Sequence, residues 1–452
     1  MKLTFLGGIA SVTGSKIVLE TEMNRFLIDC GIFQGNKELR LKNWEPQHSK
    51  LTTIDAIFLT HAHIDHTGYL PILIRNGFKG KIYCTKPTKE LTKIILLDAG
   101  KIQEADANRA NKYNYTKHNP AKPLFTVKEV EKSFNYFQTF PLNTWIYLNR
   151  DTRFKFINSG HILGSSFILI EYKGKTILFS GDIGRKEPIL LNRFKLIKEV
   201  DYLVLESIYG NRIHDKASIK NRLKEIIHHT YSKGGVLLIP TFSVERAQEL
   251  IYLLSKLKFK KQLPNIPIYL DSPMGVEATE LYFTFKNKTC LSFEDIVQMK
   301  KTVELIADVG TSKAIVKNNN PKIVLAGSGM LTGGRVMHYL NKLISSSKNS
   351  ILIVGFQAEG TRGYSIVEEA PEIKFWGEYY PVNAEVFTIY EFSGHADQKE
   401  LMFWLRQYRK APRLTLINHG ETAQSNALQQ KISNELNWKC KVAELNKTYH
   451  LN

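Results

Sequence analysis

Leu59–Gly68 reads LTHAHIDHTG and gathers His61, His63, Asp65 and His66 into six residues. Side chains two apart in an extended segment share a face, so His61 and His63 can reach one ion. Asp65 and His66, beyond the end of the strand-like DAIFLTH, turn toward a second point. A tetrahedral zinc takes four ligands and a hydrolytic one keeps a position for water, so a single ion would be overfilled once distant ligands arrived. The stretch therefore calls for partners elsewhere in the chain.

The candidates share one setting, a polar residue closing an apolar, strand-like run. His161 ends FKFINSGH, Asp182 ends TILFSGD, Glu206 ends YLVLE, His395 ends VFTIYEFSGH and His419 ends LTLINH. Residues at the carboxyl ends of strands in an α/β sheet collect along one edge, where ligands bind. Each alone has a duller explanation: a hydrogen-bonded structural histidine for His161 or His419, a turn-former for Asp182 or Asp29, a helix-start acid for Glu206. The joint pattern favours a site. His48, His118, His214, His228, His229, His338 and His450 have no such company and receive no role.

The first 205 residues carry repeated short strands, KLTFLGG, SKIVLET, RFLIDCG, KIYCT and FILIEY among them, with helical pattern from Pro87 to Ala110 and from Val127 to Phe140. From about Tyr209 the units change: GGVLLIPTF leads into SVERAQELIYLLSKL, PIYLDSP into MGVEATELYF, and KIVLAGSGM into TGGRVMHYLNKLI. Strands alternating with helices imply a parallel sheet with crossover helices. Near Glu385 the strand-rich texture returns. We therefore expect an α/β chain with a core domain at 1–207, an inserted domain at 208–385 and the core resumed at 386–452.

Composition sets bounds on partners. Of 452 residues 43% are hydrophobic, enough to fill ordered cores, and 62 Lys+Arg against 43 Asp+Glu give a formal charge of +19. That excess favours a polyanion such as nucleic acid, although a Lys-, Asn- and Ile-rich composition is equally a genome-wide habit. Cys30, Cys84, Cys290 and Cys440 form no C-x-x-C pair, which argues against a zinc ribbon or a disulfide framework and makes a reducing cytoplasm the default. Gly7, Gly8 and Gly14 break the N-terminal apolar run, which reads as strand and turn. No run approaches the roughly 18 apolar residues of a membrane helix, so no membrane partner is expected.

FLIDCG with Asp29, HAHIDH, GHILGS with His161 and FSGDIG with Asp182 match, in order, the four motifs of the metallo-β-lactamase superfamily. LESIYG with Glu206, FSGHAD with His395 and NHGE with His419 resemble the further motifs of its β-CASP branch of nucleic-acid nucleases. The resemblance spans nearly the whole chain. It implies a metallo-β-lactamase αββα sandwich with an inserted α/β β-CASP domain, holding two Zn2+. His61, His63, His161 and Asp182 would bind one ion; Asp65, His66, His419 and the bridging Asp182 would bind the other. A water shared between the ions would be activated for in-line attack on phosphorus. Asp29 would orient ligands without binding metal. His395, held by Glu206, would be the general acid. Ile208 departs from the family, where Thr is common.

In the inserted region Gly327–Gly334, GSGMLTGG, joins a strand to a helix, where backbone N–H groups and the helix dipole attract an anion. It lacks the Lys and Ser/Thr of a P-loop and alone reads as an ordinary Gly-rich turn. With the resemblance, Ser328, Gly329 and Met330 become candidate phosphate contacts, with Arg335 and Arg246 behind them. Ser243 reads as a helix cap, with Glu245 favourable to the dipole.

The resemblance implies a zinc-dependent ribonuclease cutting single-stranded RNA, with endonuclease action favoured and 5′-exonuclease action left open. A DNA nuclease of the same branch is the nearest alternative, and His419 favours RNA because DNA-repair members usually carry an apolar residue there. The intact ligand set disfavours a non-catalytic RNA-binding scaffold. A lactonase or thioesterase would share H-x-H-x-D-H, but the insertion, the FSGHAD motif and the basic charge argue against it. The chain stops soon after His419, like compact stand-alone bacterial relatives of the mRNA 3′-end processing endonuclease. A cytoplasmic enzyme is expected, and a homodimer is compatible with this reading.

Overall fold

The computed structural model describes residues 1–45, 51, 53–113, 116, 118–214, 218–355, 357, 360–389 and 392–452. His48, and Tyr390 and Glu391 of VFTIYEF, lie outside them. The described residues form two compact units, one of residues 1–188, 192–213 and 395–452, the other of 189–191 and 214–394.

Period-two alternation builds the first unit. Phe26 and Ile28 face one way and Leu27 the other; Ile17 and Leu19 oppose Val18; Phe154 and Phe156 oppose Ile157. The first set of each strand meets in one cluster, where Phe58 of one sheet sits edge-on to Phe154 of the other at 4.8 Å between centroids. Two seven-stranded sheets therefore pack face to face. Outside the first sheet, Val18, Leu27, Ile57 and Ile82 pack under helices Leu70–Arg75 and Lys86–Tyr113. Outside the second, Leu169, Leu178, Leu203 and Leu205 pack under helices Gln398–Leu405 and Thr422–Leu436. This is the αββα sandwich that the resemblance implies.

Strand direction positions the polar residues. In the second sheet Lys175–Phe179, Tyr202–Leu205 and Leu414–Ile417 are parallel neighbours. Ser166–Tyr172 runs antiparallel to both Lys175–Phe179 and Thr152–Asn158, which therefore share a direction. The carboxyl ends of Thr152–Asn158, Lys175–Phe179, Tyr202–Leu205 and Leu414–Ile417 thus lie on one edge. In the first sheet the parallel pair Arg25–Ile28 and Ala56–Phe58 leads to Asp29 and to the opening stretch.

The second unit is a six-stranded sheet whose strand pairs are all parallel, in the order Glu304–Ile306, Ile268–Asp271, Lys322–Ala326, Val236–Pro240, Ser350–Val354, Glu385–Ile389. Its central strands are buried on both faces, which is why they read as unbroken apolar runs rather than alternating ones. One expectation is corrected here. Glu385–Ile389 pairs with Ser350–Val354, so VFTI closes this sheet and the core resumes near His395, not near residue 386. An apolar run does not reveal which sheet accepts it.

Among the described residues no helix is long and apolar enough to cross a membrane. Lys16, between the first two strands, is fully buried, its ammonium 4.5 Å from the Phe33 ring centroid and 5.0 Å from that of Tyr69. Burial lowers it from 10.5 to about 8, with the neighbouring Cys30 opposing the fall. Between those values the unfolded chain holds a proton that the native chain has lost, so stability rises with pH across that window. Lys16→Met removes the cost of the buried charge and is expected to stabilise the protein at pH 7 by up to roughly 3 kcal/mol. Melting curves at pH 7 and pH 10.5 check this. The advantage should fade at the higher pH; no gain at pH 7 would mean that the two rings repay the burial in full.

Candidate metal centre

The opening stretch leaves strand Ala56–Phe58 extended through His61 and His63, then turns into the short helix Ile64–Thr67, which carries Asp65 and His66. Gly31 permits the tight passage beside it: a Cβ there would lie 1.6 Å from the Asp65 carbonyl oxygen. His161 follows Thr152–Asn158, Asp182 follows Lys175–Phe179 and His419 follows Leu414–Ile417.

These side chains meet around the Asp182 carboxylate. Its Oδ2 lies 3.4 Å from His61 Nε2 and 3.5 Å from His161 Nε2, while His63 Nδ1 is 3.1 Å from His61 Nε2 and 3.2 Å from His161 Nε2. Its Oδ1 lies 3.5 Å from both His66 Nε2 and His419 Nε2, and Asp65 Oδ2 is 3.6 Å from each of those nitrogens. Two donor clusters result, one beside each oxygen of one carboxylate, and a further group joins Asp182 to Glu206 and His395.

The donor chemistry fits divalent zinc. Imidazole nitrogens converge on one another and on carboxylate oxygens in both clusters, so several lone pairs can be aimed at one point in each. Asp182 Oδ1 is buried without a hydrogen-bond partner among the described residues. A cation between the groups would give Asp182 Oδ1 a partner and the converging lone pairs a target, and nitrogen and oxygen ligands in this number suit zinc.

Second contacts fix the rings. His66 Nδ1 is 2.7 Å from Asp29 Oδ2, and the Thr60 N–H and hydroxyl donate to Asp29 Oδ1 at 2.8 and 3.1 Å. The same hydroxyl stands 3.0 Å from His61 Nδ1. With its proton given to Asp29, it accepts from His61 Nδ1–H, which leaves Nε2 as a lone pair aimed at the cluster. With His66 Nε2 as a ligand, His66 Nδ1–H likewise donates to Asp29, so one Asp–Thr pair sets both tautomers. Sequence reasoning missed Thr60, which carries no signal beyond preceding His61.

Burial holds His66 and His161 well below the ordinary histidine range and lowers His419, favouring the neutral, ligating form. Burial opposes the charge on Asp182, yet the imidazoles of His66, His419 and His61 hold it well below the usual carboxylate range. Asp65 is pushed up to about 7, by burial first and then by the Asp182 charge. Burial also raises Asp29, against the bonds from Thr60.

Glu206, fully buried, accepts the Ile183 N–H on Oε1 at 2.6 Å and the Ile208 N–H on Oε2 at 3.3 Å. Backbone therefore serves where the Ile208 side chain cannot. His395 Nδ1 lies 3.5 Å from Glu206 Oε1 and 3.9 Å from Asp182 Oδ2. His395 reaches this place from the segment that precedes helix Gln398–Leu405, not from the end of a strand in the same sheet, so the strand-end argument does not apply to it.

The candidates in the second unit fare differently. Ser328 pairs its hydroxyl with that of Thr332 at 3.0 Å, and the carbonyls of Gly329 and Met330 accept from the Gln357 amide and the Gly363 N–H, each at 3.2 Å. Arg246 and Arg335 are corrected. Buried Arg246 bonds Glu249 and the Phe392 carbonyl, and Arg335 bonds Asp271 and the Ile306 and Ala307 carbonyls, so both guanidiniums are spent internally. Ser243 does not cap the following helix either: its hydroxyl pairs with Ser272, and Glu245, at φ 69°, is the residue before Arg246–Phe259. Glu245 is pushed up to about 8, by burial and then by Glu249.

Comparison with known proteins bears on the whole chain. Residues 18–209 match the metallo-beta-lactamase superfamily domain, 247–366 the Beta-Casp domain, and 379–443 the Zn-dependent metallo-hydrolase RNA specificity domain. The chain is 36% identical to Ribonuclease TTHA0252 of Thermus thermophilus, across 93% of each chain. It is 32% identical to the RNase J-like protein of Methanocaldococcus jannaschii, across 94% of this chain and 93% of that one. To the transcription termination factor FttA of the same organism it is 29% identical, across 93% of this chain and 67% of the other. A solved structure of a protein of unknown function from Enterococcus faecalis V583 aligns along 100% of this chain and 99% of its own, with a TM-score of 0.58 at 13% identity, a likeness of fold alone.

Proposed function

Since this chain belongs to the metallo-β-lactamase superfamily and to its β-CASP ribonuclease family, we propose that it is a zinc-dependent ribonuclease hydrolysing phosphodiester bonds of single-stranded RNA. The observation that carries this reading is the division of buried donors between the two oxygens of Asp182, with Glu206 and His395 alongside. His61, His63, His161 and Asp182 Oδ2 would hold one zinc ion, and Asp65, His66, His419 and Asp182 Oδ1 the other. Bound zinc makes water acidic enough to supply a nucleophile near neutral pH and draws charge from phosphate oxygens.

The chain's own residues do the rest. Asp29 and Thr60 hold His61 and His66 in the tautomer that presents Nε2. Asp182 and Asp65 bring negative charge to a cluster otherwise built from neutral imidazoles. Cleavage leaves an RNA oxygen that needs a proton, and His395 is placed to give one. Glu206, fixed by two backbone N–H groups, faces His395 Nδ1 at 3.5 Å and orients the ring. His395 Nε2 would then be the donating atom. Ser328, Gly329 and Met330 remain the proposed phosphate contacts.

Parallel digestion of an unstructured RNA oligomer and its DNA counterpart tests the substrate, with RNA expected to be cut at least tenfold faster. Faster cleavage of DNA would overturn the reading. A circular RNA in the same assay reads the mode, since an endonuclease alone opens it.

A further inference from the structure

In the second unit Glu372–Phe375 and Glu378–Pro381 form an antiparallel hairpin in which Phe375 pairs with Glu378. Trp376 and Gly377 make the turn, with φ of 52° and 92°. A turn with positive φ at both central residues favours Asn, Asp or Gly, and a bulky side chain at the first place is strained. Packing explains only part of the tryptophan: its ring meets that of Phe375 at 5.6 Å between centroids, yet 53% of the residue stays exposed. A residue that breaks a local rule and leaves half its surface open points to a contact made outside the fold.

The surroundings indicate what that contact is. Lys374 and Tyr379 are cross-strand partners on the outer face, with Tyr379 60% exposed and the Lys374 ammonium 4.9 Å from its ring centroid. Glu378 takes the Tyr380 hydroxyl at 2.9 Å. On the inner face Ile373 and Phe375 are buried and Tyr380 stacks on Phe375 at 4.1 Å, which fixes the hairpin to its unit. The ring of His338, on helix Val336–Leu343 after the Gly-rich loop, lies 5.2 Å from that of Trp376. Arg362 donates to the carbonyls of Lys374 and Leu331 at 2.9 and 3.0 Å and so ties the hairpin to that loop. The segment matching the RNA specificity domain begins at residue 379, on the second strand of the hairpin.

We propose that Trp376, with Tyr379 and Lys374, forms a stacking platform for the bases of single-stranded RNA. Every base has a π face, so such a platform accepts any sequence, while the lysine and the chain's charge of +19 suit the phosphates beside it. Continuity with the Gly-rich loop favours a nucleic acid over a second copy of the chain. The inference rests on RNA being the substrate.

Steady-state cleavage of a fluorescein-labelled oligouridylate by the zinc-loaded full chain tests it, with Trp376→Asn and Trp376→Phe as variants. Asn suits the turn, so Trp376→Asn should melt no lower than the native protein. It should nevertheless raise KM on the order of tenfold with kcat within about twofold, the loss of one stacked base. Trp376→Phe should keep most of the affinity. An unchanged KM in Trp376→Asn, beside native cleavage of the RNA, would overturn the platform while leaving the ribonuclease reading intact. Failure of the native protein to cleave any RNA would instead sink that reading. A shift from dimer to monomer in Trp376→Asn at unchanged KM would assign the surface to self-association and likewise overturn the proposal.

Discussion

Asp182→Asn is expected to lower bound zinc from about two ions per chain to one or fewer and to abolish RNA cleavage. One oxygen of this carboxylate faces each cluster, and the remaining donors are five imidazoles and Asp65. Two dications bound in these clusters would repel each other, and loss of the Asp182 carboxylate would leave Asp65 as the remaining negative donor to oppose that repulsion. Loss of metal-dependent stabilisation of several kcal/mol slows the reaction by on the order of a thousandfold or more. Elemental analysis of the purified variant reads the first effect and an RNA cleavage assay the second. Two retained ions would show that Asp182 does not bridge.

The second large effect separates proton donation from metal binding. His395→Ala should keep both zinc ions yet cleave RNA roughly 10² to 10⁴ times more slowly, the usual contribution of a general acid. Hydrolysis of bis(p-nitrophenyl) phosphate should fall far less, because nitrophenolate departs without a proton. His395 also stands 3.9 Å from Asp182 Oδ2, within a possible third donor group with Glu206. Zinc loss in the variant would therefore assign His395 to the metal instead.

The residues legible in the sequence are those whose position follows from local order. His161, Asp182 and His419 each follow a strand of one sheet, and parallel strands bring their ends to one edge whatever the loops do. His395 resembles them on paper, yet the run before it pairs in the other unit, and pairing across such distances leaves no mark in a run of apolar residues. Arg335 reads as an open cation for the same reason: its partner, Asp271, comes from a distant strand. Arg246 had a visible clue in Glu249 at i+3, although its bond to the Phe392 carbonyl had none. The Trp376–Gly377 turn was open to a reader of EIKFWGEYY as two short strands around a turn pair. The conflict it contains appears only with the backbone angles.

The late return of the chain to its first unit has a bearing on synthesis. Strand Leu414–Ile417, which lies between Tyr202–Leu205 and Cys440–Val442, leads directly to His419, so this part of the sheet and the second ligand cluster are finished together. A nascent chain on the ribosome already contains His61, His63, His161 and Asp182 while the whole inserted unit is still being made, but it lacks His419, the proposed last ligand, and the strand that leads to it. Domains fold as their residues emerge. A protein that cuts RNA would thus be translated from its own message without a complete cutting site, becoming competent only after the inserted unit and the strand leading to His419 have been made.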